Sequence, residues 1–128
     1  MIRGAAIVSA APRLAHLAVR VGFDTVWVEL EHGHIGYDTA ELLCRAAESA
    51  GGFGTLRIAG VQREFVLRAL EVGARIVVAP MVSTVEQARE LVRHGKFPPI
   101  GARGYNSRSP GMYYGLGAPT ELMARANA

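Results

Sequence analysis

Glu29, Glu31, His32 and His34 crowd into six positions, with Gly33 between the histidines. They follow Val26, Trp27 and Val28, which read as a buried strand. Carboxylates and imidazoles at the mouth of a buried strand have two chemical uses. A neutral imidazole moves protons, directly or through water. Alternatively the four side chains hold a metal ion together, although their spacing matches no closed zinc pattern. Glu29 and Glu31 share one face only if the strand runs that far. Two plainer readings stand beside these, with Glu29 as a solvated or ion-paired strand carboxylate and His34 as an ordinary loop residue.

The elements that position this stretch follow from two alternating periods. Ala5 to Val8 is a short apolar strand. Pro12 opens a helix whose apolar face is Leu14, Leu17, Ala18 and Val21, and Gly22 ends it. Thr25 to Leu30 is the second strand. Asp38 with Glu41 predicts a capping box for a helix that runs to Ala50 and stops at Gly51-Gly52. Thr55 to Ile58 is a brief third strand, followed by a helix from Gln62 to Val72 that Gly73 closes. Ile76 to Ala79 is an apolar fourth strand. Thr84 and Gln87 cap a fourth helix that reaches Arg93. Residues 94–119 are rich in glycine and proline and read as a long ordered loop. Thr120 to Arg125 begins one more helix.

These are four βα units in one domain, residues 1–128. Apolar strands alternating with amphipathic helices predict an α/β fold with a parallel sheet. A closed (β/α)8 barrel needs about 250 residues, so the chain is either a small open sheet or half of a barrel. In both, sites form at the carboxyl ends of the strands. That rule selects Ser9 and Ala10 after strand 1, Glu31, His32, Gly33 and His34 after strand 2, Arg57 near the end of strand 3, and Pro80, Met81 and Val82 after strand 4. His32 and Arg57 then face one space, where an arginine fork can hold a carboxylate in two-point contact.

Bulk properties exclude several functions. The net charge is +3 and the sequence pI about 9.5, but the arginines are scattered and form no basic stripe of the kind nucleic acids require. The mild positive charge suits small anionic substrates equally well. No apolar run reaches the roughly 20 residues that span a bilayer, and no secretion signal opens the chain, so the expected compartment is the cytoplasm. Cys44 is the single cysteine and falls on a helix's apolar face, as a buried inert thiol does. There is no phosphate-binding glycine loop and no dinucleotide fingerprint, nor a G-x-S-x-G elbow. Lys96, the one lysine, lies beyond helix 4, so a Schiff base is poorly served.

Taken together, the residues resemble the HpcH/HpaI aldolase family. VGFDTVWVELEHG, residues 21–33, is similar to the family's A-G-F-D-x-[VL]-x-[IV]-D-x-E-H-G. Arg57-Ile58-Ala59 resembles R-[VI]-P, and LEVGARIVVAPMV, residues 70–82, resembles L-D-x-G-A-x-x-[IV]-x-[VI]-P-x-V. KFPPIGARG, residues 96–104, resembles [RK]-[YF]-P-P-x-G-x-R-G. The blocks keep the family's order and spacing and span nearly the whole chain.

The resemblance implies a (β/α)8 TIM-barrel fold of which this chain supplies about half. It implies a class II pyruvate aldolase, a carbon–carbon lyase that splits 4-hydroxy-2-oxo acids into pyruvate and an aldehyde. A divalent metal, Mg2+ or Mn2+, is the implied cofactor. His32 matches the catalytic histidine, Glu29 its carboxylate partner, and Arg57 the residue that contacts the keto acid. Gly33 joins Arg57 in substrate binding, and Glu31 and Glu71 support them from behind. The partners implied are a keto acid, an aldehyde, and further copies of the chain or a complementing second half.

The chain departs from the family pattern in three positions and in length. Glu29 and Glu71 replace aspartates, and Ala59 replaces a proline. The family's metal ligands, a glutamate and an aspartate, belong to the barrel's second half, so no metal ligand is expected within this chain. A truncated product, a fragment or one piece of a split enzyme is expected, with a non-catalytic association module as the alternative.

Overall fold

The computed structural model describes all of residues 1–128. Its elements are β1 (Gly4–Ile7), α1 (Pro12–Arg20), β2 (Thr25–Glu29), α2 (Tyr37–Ser49), β3 (Phe53–Arg57), α3 (Arg63–Glu71), β4 (Ala74–Val78) and α4 (Val85–Gly95). A 3-10 turn (Pro110–Gly115) and α5 (Pro119–Asn127) follow. The four strands form one parallel sheet in sequential order, β1-β2-β3-β4.

The strands are apolar on one face. Ile7, Val26, Val28, Leu56 and Ile58 pack with Ala15, Leu43, Cys44, Ala47, Val66 and Ala69 of the helices in one core. The alternating residues Thr25, Trp27 and Glu29 of β2, and Thr55 and Arg57 of β3, face the other side, as the period of two demands. There the Thr25 and Thr55 hydroxyls share a hydrogen bond of 2.8 Å, and Thr25 also donates to the Phe53 carbonyl. The polar residues of the central strands are therefore gathered on the face that the helices do not cover.

Two close approaches fix the layers. A side chain on Gly54 would collide with Cys44 Sγ, so β3 needs a glycine where α2 crosses it. Burial pushes the Cys44 thiol up to about 12, with Glu48 and Glu41 adding to the shift, and the group is inert at neutral pH. The helix-to-strand turns use Gly22, Gly51 and Gly73 at φ of 111°, 93° and 98°, the left-handed conformation a helix C-terminus favours.

Two sequence expectations change. Asp38 does not cap α2. Gly36 takes that position in extended conformation with no side-chain cap, Asp38 falls in the first turn where its charge suits the helix dipole, and Glu41 pairs with Arg45 at 3.4 Å. The capping box of α4 does form, with Thr84 and Gln87 each accepting from the other's backbone N–H. The second change is in residues 94–119, which form a small second core with α5. Phe97, Met112 and Leu122 are buried together, and Asn127 holds Phe97 by accepting its N–H at 2.7 Å and donating to its carbonyl at 3.1 Å.

Gly54→Ala is expected to cost about 1–3 kcal/mol in urea unfolding, the usual cost of overpacking, and Cys44→Ala in the same chain should recover part of it. Equal stability of Gly54→Ala and the parent would contradict this packing.

Candidate active site

Glu29 ends β2, Arg57 ends β3, and the two are register partners. Their side chains therefore meet on the uncovered face at the carboxyl edge of the sheet. Arg57 Nε donates to Glu29 Oε2 at 2.6 Å and lies 3.3 Å from Glu31 Oε2. Glu29 Oε1 accepts the backbone N–H of Glu31 at 2.8 Å and of His32 at 3.0 Å. Trp27 Nε1 adds a long contact to Glu29 Oε2 at 3.4 Å. The sequence marks Trp27 only as part of a buried strand, yet strand spacing alone puts residues 27 and 29 on one face.

This arrangement sets the charge of Glu29, which is buried. Burial on its own raises a carboxyl's pKa. The His32 N–H, the Arg57 guanidinium, the Glu31 N–H and the Trp27 indole together outweigh it and hold Glu29 at about 2. The carboxylate is thus a permanent anion at neutral pH, and it organises the chain after it. Leu30 N–H donates to the Arg57 carbonyl at 2.9 Å, extending the β2–β3 ladder by one step. The chain then folds back so tightly that a Cβ on Gly33 would lie 2.5 Å from the Glu29 carbonyl oxygen. Gly33 serves this turn through its lack of a side chain.

His32 rides on that turn. Its side chain is 74% exposed and its Nε2 lies 3.8 Å from Glu31 Oε1. Here the expected partnership is corrected. Glu29 grips the backbone of His32, with both of its oxygens committed elsewhere, and the carboxylate beside the ring is Glu31. Glu71 also moves. It ends α3, one turn before β4 begins, and so lies at the opposite edge of the sheet, where its charge acts on Arg103. It does not support His32. His34 is exposed.

The four-residue cluster does not fit a metal ion. A guanidinium sits between the two carboxylates, within 3.3 Å of both, and no group of three or more potential ligands converges anywhere in the chain. Arg57 commits its Nε–H, and the remaining donors of its five-donor fork are free for a ligand. Met81, just past β4, adds an unexpected feature at the same edge. It is 86% exposed and holds φ of 54°, a conformation that costs a non-glycine residue about 1 kcal/mol and that nothing in its residue type announces.

The HpcH/HpaI aldolase/citrate lyase family model matches residues 6–123. The hydroxypyruvate/pyruvate aldolase of Pseudomonas aeruginosa is 37% identical over 98 residues, covering 75% of this chain and 36% of that protein. The 2-keto-3-deoxy-L-rhamnonate aldolase of Klebsiella pneumoniae is 32% identical over 94 residues, covering 71% of this chain and 34% of its own. The crystal structure of an HpcH/HpaI aldolase from Desulfitobacterium hafniense superposes with a TM-score of 0.90 at 27% identity, over 98% of this chain and 48% of that one. The chain thus spans less than half the length of these relatives. Its four βα units correspond to about half of their TIM barrel.

Glu29 carries its folded-state charge below the ordinary carboxyl range, so its contribution to stability is complete above about pH 4.5 and is lost as pH falls towards 2. Glu29→Gln should flatten that acid limb and cost about 1–3 kcal/mol at pH 7, measured by urea unfolding across pH. An unchanged acid limb would refute the assignment. Mg2+ or Mn2+ is expected to leave the melting temperature of the chain where it is, and a saturable rise would show a metal site within these residues.

Proposed function

Because the chain belongs to the HpcH/HpaI aldolase/citrate lyase family, we propose that it carries the keto-acid-binding side of a class II pyruvate aldolase site. The reaction is the reversible cleavage of a 4-hydroxy-2-oxo acid to pyruvate and an aldehyde. The observation that carries this reading is the Glu29–Arg57 pair at the strand ends, with His32 tethered beside it.

Arg57 binds the oxygens of the keto acid with the donors that Glu29 leaves free. A base removes the proton of the C4 hydroxyl, the C3–C4 bond breaks, and its electron pair passes to the enolate of pyruvate. Arg57 meets that developing negative charge. His32, exposed and next to Glu31, accepts the hydroxyl proton through water and returns a proton to C3. Glu29 is a positioning residue, fixing both Arg57 and the His32 turn. Gly33 keeps the turn tight under the bound acid.

The metal that the family resemblance implies finds no ligand set among these residues, so a longer chain or a second polypeptide would have to supply it. No step above is routed through it. A second reading has its own observation. Ala6, Trp27, Ile76 and Val78 share the helix-free face of the sheet and are exposed or partly exposed, as expected of a half-barrel that associates with another copy or with a complementing half.

Pyruvate release from a 4-hydroxy-2-oxo acid, with Mg2+ or Mn2+ present, tests the first reading. His32→Ala should lower kcat by about 10²-fold or more, the usual share of acid–base catalysis, and Arg57→Lys should raise KM as the two-point contact is lost. No release by the chain together with a polypeptide that completes its barrel, or a rate in that complex indifferent to His32→Ala, overturns it. Mass measurement in solution addresses the second reading, which a stable monomer would contradict.

A further inference from the structure

Away from the Glu29–Arg57 edge, a cavity of about 410 Å3 opens where β4 begins, between the end of α3 and α5. Arg75, Lys96, Arg103 and Arg125 line it, with Glu48 and the terminal residue Ala128 as the anionic members of its walls. A surplus of one charge in a concave site focuses the potential on whatever enters.

Arg103 makes this more than a basic patch. It is 6% exposed, and its Nε–H is enclosed without a hydrogen-bond partner in the chain. Its guanidinium lies 4.6 Å over the Phe97 ring. Buried cations are almost always paired, and a buried donor left empty costs roughly 1–3 kcal/mol, more when charged. Glu71 acts on Arg103 through space but forms no ion pair with it. None of the other three cations is closely paired with a carboxylate side chain. Lys96 donates to the Asn127 carbonyl at 2.8 Å, Arg75 stays 3.8 Å from Glu48, and Arg125 is poised 4.8 Å over the Tyr113 ring.

We propose that this cavity is a second binding site, for a small dianion that presents phosphate or carboxylate oxygens to Arg103 with Arg75, Lys96 and Arg125 around it. Planar guanidiniums match such oxyanions in two-point contacts, and the volume falls in the range of small-ligand sites. The site is independent of the aldolase reading. Arg57 pairs with Val78 at the far end of β4, four residues from Ala74, or about 13 Å along a strand. An anion in the cavity touches none of the residues that would handle the keto acid.

Inorganic phosphate and succinate, titrated separately into the chain with ionic strength fixed by sodium chloride, provide the test. Saturable binding is expected for at least one of them, raising the melting temperature and leaving the Trp27 indole N–H signal unmoved. The better ligand identifies the headgroup as phosphate or carboxylate. Arg75 and Arg125 are exposed, so Arg75→Gln/Arg125→Gln should fold and weaken binding at least tenfold. Arg103→Lys keeps the charge without the fork and should weaken it as well. No binding above the chloride control, or equal affinity in the double variant, overturns the proposal. So does a response confined to Trp27.

Discussion

A carboxylate at the end of a buried strand is tolerable only when its partners outweigh the loss of water around it. Glu29 meets that condition with a guanidinium across the sheet, two backbone N–H groups from the turn that follows, and an indole two residues back. Each partner is consequently fixed by the same atom pair. Arg57 is held in place, the turn carrying Glu31 and His32 is closed, and β2 ends where it does. Without this anion, the strand end, the turn and the arginine would have no common reference point.

The sheet beneath it makes that meeting possible. Register pairs Glu29 with Arg57, and register is set from behind by the fit of β3 against α2 at Gly54 and Cys44. A slip of one residue would move Arg57 to the helix-covered face. The apolar face thus acts on the polar one without touching it, by deciding which side chains stand opposite each other. The Thr25 and Thr55 hydroxyls meet on the same face by a diagonal, since Thr25 stands opposite Phe53 and Thr55 opposite Trp27.

Much of this was legible in the sequence. Alternating periods disclosed four βα units, and the rule about carboxyl strand ends singled out Glu31, His32 and Arg57. Glycines marked every helix-to-strand turn. What stayed hidden has physical reasons. Asp38 carries the residue type of a helix cap, yet capping depends on where the backbone turns, and it turns one residue before Tyr37. Residues 94–119 show no period because only two isolated side chains, Phe97 and Met112, reach the small core they share with Leu122 of α5. Glu29 was readable as an acid beside a histidine, but its choice of backbone over imidazole depends on the tightness of the Gly33 turn. The left-handed Met81 leaves no trace in composition at all.

The shared hold of Glu29 on Arg57 and on the His32 backbone has a thermodynamic corollary. A ligand carboxylate that draws Arg57 towards itself weakens the same anion's grip on one side while the two backbone N–H groups keep it on the other. Occupancy at Arg57 and order in the histidine turn are then linked, and linkage is reciprocal. Whatever stiffens the turn alters affinity at Arg57, and whatever binds Arg57 alters the freedom of the histidine. One buried oxygen pair thereby makes two neighbouring groups a single cooperative unit.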